Sequence, residues 1–157
     1  MKTSSKPLLI VWIVVLVTIG GVIGSLTKPE ISTWYSILNR SALTPPNYVF
    51  PVAWTILYGI IGACGWLIWQ QDSFKRQDVI KILYIVQLIL NWSWTPLFFH
   101  YHLTGISLIF LVAMDIFVGL IIRLSYQKIR LLSLLMIPYL LWIVFATYLN
   151  FYIWQYN

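Results

Sequence analysis

The sequence predicts an all-α integral membrane protein, a bundle of five transmembrane helices, from its composition and its long apolar runs. Of 157 residues, 61% are hydrophobic and 9% charged, and the mean hydropathy is +0.85, far outside the range of soluble globular proteins. A helix needs roughly 20 apolar residues to cross the hydrocarbon core. Five stretches qualify: residues 8–26, 48–70, 79–99, 105–123 and 131–154. They lack the alternation typical of a barrel strand, so we predict one helical domain over residues 1–157.

The first run resembles a cleaved signal peptide, because a basic start precedes an apolar stretch. The run from Leu8 to Leu26 is long enough to span, however, and further spans follow, so we predict a retained helix. Gly20 with Gly24, and Gly59 with Ala63, are small residues four apart that permit close helix contact.

Lysines and arginines predict the orientation, because they concentrate in the cytoplasmic connectors of membrane proteins. Eight of the ten basic residues fall on one side: Lys2, Lys6, Lys75, Arg76, Lys81, Arg123, Lys128 and Arg130. Lys28 and Arg40 remain for the other side. We therefore predict a cytoplasmic N-terminus and an outside C-terminus. The helical rather than barrel design favours a bacterial cell membrane. The net charge of +6 forms no stripe on a soluble face, so membrane lipid rather than nucleic acid is the expected partner.

The first connector, residues 27–47, is the only long one. Its segment ISTWYSILNR places Ile31, Trp34, Tyr35 and Leu38 on one face of a short amphipathic helix, which we predict to lie over the bundle mouth as a lid. An ordinary interfacial aromatic anchor is the alternative. Pro51 falls in the first turn of the next helix, where proline is tolerated.

Conventional catalytic and metal-binding patterns are absent from the sequence. Of the four acids only Asp115 lies inside a predicted span, so no carboxylate pair is available for acid–base chemistry. His100 and His102 do not share a helix face, and Cys64 is the single cysteine, so no metal site is predicted. We expect Asp115 to form a structural hydrogen bond with another helix, with Asn91 and Asn150 as its polar companions; a proton relay would need more such groups.

Aromatic residues dominate the remaining pattern. Phe50, Trp54 and Tyr58 repeat every four residues on the second span and share one helix face. The third span adds Asn91 and Trp94, and the fifth adds Trp142, Ala146, Leu149 and Asn150. Such stripes often serve packing. Helix contacts in lipid favour small residues, however, so large rings beside asparagines also suit the wall of an apolar pocket.

Three segments of this sequence closely resemble the tryptophan-rich sensory protein family, TspO/MBR, whose animal members are the translocator protein or peripheral-type benzodiazepine receptor. They are WYSILNRSALTPPNYVFPVAWTILY (34–58), QLILNWSWTPLFF (87–99) and MIPYLLWIVFATYLN (136–150). The resemblance implies a five-helix bundle, often a homodimer, with a pocket capped by the first connector. It implies binding of porphyrin or haem and other lipophiles, including sterols and benzodiazepine-type compounds, with no obligatory cofactor.

The resemblance also implies which residues line the pocket. Carried over by motif position, they are Tyr35, Pro45, Phe50, Trp54, Tyr58, Asn91, Trp94, Trp142, Ala146, Leu149 and Asn150. Trp54 and Trp142 match family tryptophans linked with light-dependent porphyrin breakdown. A receptor or sensor is therefore the leading hypothesis. Photochemical degradation is an alternative, as is transport, although the chain shows no inverted repeat.

Departures from the family pattern lie mainly in the lid. Arg40 and Ser41 replace a Lys-Pro pair common among relatives, and Leu43 stands where an aromatic ring is frequent. Gln155 occupies the end of the last helix, where the sterol-recognition pattern needs a basic residue. Because the segment LSYQK (124–128) fits that loose pattern on the opposite side of the membrane, the pattern proves little, and we predict no specific sterol binding.

Overall fold

The computed structural model describes residues 6–71 and 74–157, so Lys2 and Asp72 lie outside the described part. Within it the chain forms six helices: α1 (Lys6–Ser32), α2 (Trp34–Ile37), α3 (Val49–Gln70), α4 (Gln77–Phe99), α5 (Thr104–Ser125) and α6 (Arg130–Tyr156). All except α2 are long and apolar enough to cross a membrane. The predicted all-α fold with five spans is therefore confirmed.

The first helix is longer than the sequence predicts. Hydropathy ends the span at Leu26, but α1 continues through Pro29 to Ser32, which shortens the lid to residues 33–48. Proline removes one backbone donor, yet hydroxyl groups of the last turn bond to helix carbonyls, including that of Pro29, which accepts from Ser32 Oγ at 3.0 Å and from Thr33 Oγ1 at 3.0 Å. Polar residues end a membrane span without ending a helix, so hydropathy misplaced this boundary.

The five long helices form a ring in the order α1, α3, α6, α5, α4, and α4 contacts α1 again. Since consecutive long helices run in opposite directions, the lid, the α4–α5 connector and the C-terminus lie at one end of the bundle. The α3–α4 and α5–α6 connectors lie at the other end. α5 packs extensively on α4 and α6, whereas the backbones of α3 and α4 approach each other at few points and these two helices are joined mainly through side chains.

Close contact between α1 and α3 depends on a glycine that the small-residue pairs did not identify. A Cβ atom at Gly62 would lie 2.8 Å from the Cα atom of Ile13 and 2.9 Å from the carbonyl oxygen of Trp12, so only glycine allows this approach. Gly20 packs against the ring of Tyr58, but a Cβ at Gly24 would meet nothing within 4 Å. The two helices are therefore in contact near the N-terminus of α1 and apart near its C-terminus.

Hydrogen bonds between side chains link three helices in the bundle interior. Tyr58 on α3 donates to Asn91 Oδ1 on α4 at 2.5 Å, and Asn91 Nδ2 donates to the Tyr139 hydroxyl on α6 at 3.0 Å. Tyr139 then donates to Gln87 Oε1 at 2.8 Å. These side chains are at most 5% exposed, and their mutual bonds satisfy most of the polar atoms that would otherwise be costly to bury; Gln87 Nε2 alone among them has no partner in the described part of the chain.

Asp115 forms the interhelical hydrogen bond predicted for it, but with a different partner. Thr147 Oγ1 on α6 lies 2.8 Å from Asp115 Oδ2. The expected companions, Asn91 and Asn150, are bonded to tyrosines, to Trp94 and to Ser107 instead. Residue type alone favoured asparagine as the partner, whereas the facing residue on α6 is a threonine.

Candidate ligand cavity

A cavity of about 940 Å³ opens beneath the lid, between the lid-side halves of α1, α3, α4 and α6. Its volume falls near the upper end of the range of small-molecule sites, roughly 300–1,000 Å³. Of the eleven residues that the resemblance assigns to the pocket, eight line this cavity: Tyr35, Phe50, Trp54, Tyr58, Trp94, Ala146, Leu149 and Asn150. The structure thus brings together residues from the lid and from three helices.

The aromatic lining forms a continuous wall on α3 and α4. Trp54 lies between Tyr58, with ring centroids 5.7 Å apart, and Trp94, at 6.4 Å. Trp94 in turn stacks on Phe98 at 5.5 Å with an interplanar angle of 22°. Neighbouring rings at these distances stabilise one another's orientation, so the wall presents a preformed aromatic surface to the cavity.

Trp142 is assigned to the pocket by the resemblance but does not line it. Its ring meets Trp54 edge-on at 6.4 Å and Phe50 at 6.1 Å, which places it behind the first layer of rings. Helical spacing puts Trp142 on the same face as Ala146 and Asn150, but it cannot reveal that rings from α3 cover it. Trp142 therefore supports the wall.

Asn91 is also placed behind the lining. Tyr58 lies between it and the cavity, and both ends of its amide are engaged by Tyr58 and Tyr139. Asn150 does line the cavity, but its oxygen accepts from Trp94 Nε1 at 3.1 Å and from Ser107 Oγ at 3.0 Å. Its amide nitrogen donates to the Thr104 carbonyl at 2.7 Å. The two asparagines thus orient the rings of the wall.

Pro45 lies outside the cavity, on a shallow surface depression of the lid that also contains Arg40 and Ser41. The residues that depart from the family pattern have structural roles here. Ser41 Oγ is 2.8 Å from the Tyr148 hydroxyl of α6, and the Arg40 guanidinium lies 5.1 Å from the centre of the Tyr35 ring. Burial raises the pKa of Tyr35, and the nearby Arg40 charge opposes that shift. The Ser41–Tyr148 contact attaches the lid to α6, and the Arg40–Tyr35 contact lies within the lid.

Further contacts hold the middle and the start of the lid. Asn39 donates its backbone N–H to Asn157 Oδ1 at 2.9 Å, and Asn157 Nδ2 donates back to the Asn39 carbonyl at 3.2 Å. At the start of the lid, Trp34 stacks on His102 at 4.1 Å and 14°, and His102 Nε2 lies 3.4 Å from Glu30 Oε2. The predicted amphipathic face also forms, since Ile31, Trp34 and Leu38 pack around Tyr35 and Phe98.

The α1 side of the cavity was not predicted from the sequence. Gly20, Gly21, Gly24, Ser25 and Lys28 line it. Glycine and serine carry none of the aromatic or amide chemistry typical of a ligand site, and membrane topology alone is sufficient to explain Lys28 in the sequence. The sequence does contain one indication that this face of α1 is open: Gly21 and Ser25 are small residues four apart, as Gly20 and Gly24 are.

Comparison with known proteins agrees with this architecture. The sequence model of the TspO/MBR family matches residues 12–155. The tryptophan-rich protein TspO of Archaeoglobus fulgidus is 36% identical over 149 residues, which cover 95% of this chain and 96% of the relative. The translocator protein of Bos taurus is 32% identical over 145 residues (90% and 86%), and the tryptophan-rich sensory protein of Cereibacter sphaeroides is 34% identical over 128 residues (82% and 78%). The chain therefore belongs to the TspO/MBR family and is an integral membrane protein.

Proposed function

We propose that this protein is a membrane receptor or sensor that binds a porphyrin, haem or a similar flat lipophile beneath the lid. Its family membership, together with relatives described as sensory and translocator proteins, supports the receptor or sensor role. The single observation that carries the choice of ligand is the aromatic wall of Trp54, Tyr58, Trp94 and Phe98 along a cavity of about 940 Å³.

The chemistry of this wall favours a planar apolar ligand. Aromatic rings pack well against other π systems in offset or edge-on arrangements, and each favourable pair contributes about 0.5–1.5 kcal/mol beyond area burial. The hydroxyl of Tyr58 and the indole nitrogen of Trp94 are bonded away from the cavity, so the wall offers its carbon surfaces. A macrocycle would bury a large apolar area there with little loss of hydrogen bonds.

Stacking, rather than ligation of an iron atom, would hold the ring. Among the described lining residues there is no histidine, cysteine or methionine, the side chains that most often bind haem iron axially. We therefore expect metal-free protoporphyrin IX and haem to bind with similar affinity.

Titration with protoporphyrin IX tests the proposal directly. Tryptophan fluorescence should be quenched saturably, and Trp94→Ala should weaken binding about tenfold, since it removes one stacking surface together with its contact area. Trp69→Phe is the matched control, because Trp69 belongs to a separate cluster with Trp12 and Tyr84. Non-saturable quenching in the wild type, or equal affinity in Trp94→Ala, would contradict the proposal.

A second candidate function is light-dependent porphyrin breakdown. It is favoured by the edge-on contact of Trp54, which lines the cavity, with Trp142 behind it. Two indoles in contact provide a path for an electron or radical between the protein and an excited ligand, with dissolved dioxygen as the final oxidant. Illumination of the complex should then give a new absorbance spectrum that disappears in Trp54→Phe while binding persists. Equal bleaching of free porphyrin would exclude this activity.

We also propose, from the family resemblance, that the chain forms a homodimer. We further propose that the lid faces the outside of a bacterial cell membrane, with the N-terminus in the cytoplasm. The distribution of basic residues supports the orientation. Cysteines introduced at Gln127 and at Asn47, in a Cys64→Ser background, would test it with a membrane-impermeant reagent. In intact cells only the residue 47 variant should be labelled, and the reverse pattern would invert the orientation.

A further inference from the structure

The inner wall of the cavity provides few partners for a charged or strongly polar ligand group. Tyr58 donates to Asn91, and Trp94 donates to Asn150. The oxygen of Asn150 accepts a second bond from Ser107, and its amide donates to a backbone carbonyl. A charged substituent on a bound lipophile must therefore remain hydrated or find its partner at the rim of the cavity, because burying it unpaired is costly.

One side of that rim is a cleft between the lid-side halves of α1 and α3. Gly21, Gly24 and Ser25 border it on α1, and Pro51 and Thr55 border it on α3; all five are exposed residues that also line the cavity. A Cβ atom at Gly21 or Gly24 would meet nothing within 4 Å. The cavity thus extends sideways to the surface that faces the membrane.

Lys28 stands at the lid end of this cleft and is the single charged side chain among the described residues that line the cavity. Nearby hydroxyls are already engaged as donors. Ser25 donates to the Val22 carbonyl at 2.7 Å, Ser32 to that of Pro29 at 3.0 Å, and Thr55 to that of Pro51 at 2.8 Å. The ammonium group of Lys28 is therefore the strongest donor that the cleft offers to a ligand.

The charges around Lys28 leave it available. Glu30, the nearest acid in sequence, pairs with His102, and no salt bridge joins Lys28 to a carboxylate in the described part of the chain. Arg40 lies over Tyr35 on the lid and does not line the cavity. The C-terminal end of α1 carries a partial negative charge of about half an elementary charge. Because the ammonium group of Lys28 carries a full positive charge, the two together still present a net positive charge to a ligand.

We propose that the cavity selects flat lipophiles that carry a carboxylate, with the ring against the aromatic wall and the carboxylate in the α1–α3 cleft beside Lys28. This inference rests on the proposed function and adds the chemical class of the ligand. The long apolar stem of lysine can lie along the cleft while its ammonium group stays at the membrane boundary, where a carboxylate of a membrane-dissolved ligand also prefers to lie.

A comparison of protoporphyrin IX with its dimethyl ester isolates the carboxylates, because the macrocycle is unchanged. Affinities are measured by tryptophan quenching in nanodiscs of neutral phosphatidylcholine, for the wild type, Lys28→Met, Lys28→Arg and the control Lys128→Met at the opposite end of the bundle. The preference for the diacid over the ester should fall about threefold in Lys28→Met, as expected for a partly exposed ion pair. It should persist in Lys28→Arg and Lys128→Met, and ester affinity should be equal in all four.

The outcomes separate this inference from the function on which it rests. If both porphyrins bind the wild type but Lys28→Met keeps the diacid preference, the role of Lys28 is wrong and the cavity assignment stands. If neither porphyrin binds saturably, the proposed function fails and the inference fails with it. If added phosphatidylglycerol weakens diacid binding in the wild type but not in Lys28→Met, the anionic headgroup competes with the ligand carboxylate for Lys28, which supports the inference.

Discussion

The cavity is bounded by two sides of different construction. On α3 and α4 the lining consists largely of aromatic rings, and the polar atoms of Tyr58 and Trp94 are bonded to the asparagines Asn91 and Asn150. On α1 the lining consists largely of glycine and other small residues beside an open cleft. The comparison shows how one bundle can combine a preorganised binding surface with access from the membrane, because rigidity and openness are assigned to different helices.

Removing the support behind the rings should have the largest effect. In Asn91→Leu the hydroxyl of Tyr58 loses its acceptor and that of Tyr139 loses a donor, both in the buried interior. We expect a loss of about 2 kcal/mol or more in stability, since each unsatisfied buried group costs about 1–3 kcal/mol. Thermal unfolding in detergent measures this. A stable variant that has lost porphyrin affinity would instead show that Asn91 contacts the ligand, as the family resemblance implies.

The two ends of the α1–α3 contact should differ in their tolerance of a methyl group. Gly62→Ala places Cβ against the backbone of α1 and should destabilise the bundle by about 1–3 kcal/mol through overpacking. Gly24→Ala is the matched control at the open end, where alanine meets no neighbour and gains helix propensity. Equal unfolding temperatures for the two variants would contradict the description of α1 as held at one end only.

Trp54 and Trp142 belong to different layers of the aromatic wall. Trp54→Ala removes a ring that lines the cavity and should reduce porphyrin affinity about tenfold. Trp142→Ala removes a ring that contacts Trp54 and Phe50 from behind, so we expect a smaller loss, about threefold, together with reduced stability. Isothermal titration with protoporphyrin IX gives both affinities, and a larger loss for Trp142 would reverse the assigned order.

The smallest effect is expected at the lid. His102 has a positive φ of 55° and stacks on Trp34. His102→Asn keeps a residue type that tolerates this backbone conformation but removes most of the ring stacking, so amide exchange of residues 34–37 should accelerate about threefold. His100→Asn, in the same connector but outside the Trp34 contact, is the control. Unchanged exchange in His102→Asn would show that the Asn39 and Ser41 contacts suffice to hold the lid.

Helix spacing and hydropathy predict much of this site, for identifiable reasons. The five spans follow from apolar runs of sufficient length. Phe50, Trp54 and Tyr58 all reach the cavity because a four-residue repeat keeps them on one helix face. Such a repeat specifies which helix face the side chains occupy. It does not show whether residues of another helix lie between that face and the cavity. Spacing therefore could not show that Tyr58 separates Asn91 from the cavity, or that Trp54 and Phe50 cover Trp142.

The open side of the cavity is harder to predict, because it is formed largely by glycines, which have no side chain to indicate a role. Gly20 and Gly24 form a pair typical of helix packing, yet Gly20 packs on Tyr58 whereas Gly24 borders the cleft. Whether a small residue permits helix contact or leaves an open space depends on the distance between the helix axes. That distance cannot be read from one sequence. Lys28 was likewise explained by topology alone.

A structure of the protein with protoporphyrin IX would show where the porphyrin binds and which side chains it contacts. We expect a single macrocycle beneath the lid, with its ring against Trp54 and Trp94, and a carboxylate extending through the α1–α3 cleft toward Lys28. Trp142 and Asn91 should remain behind the first layer, without contact with the ligand. A porphyrin bound on the outer surface of the bundle, with the cavity beneath the lid unoccupied, would refute this binding mode.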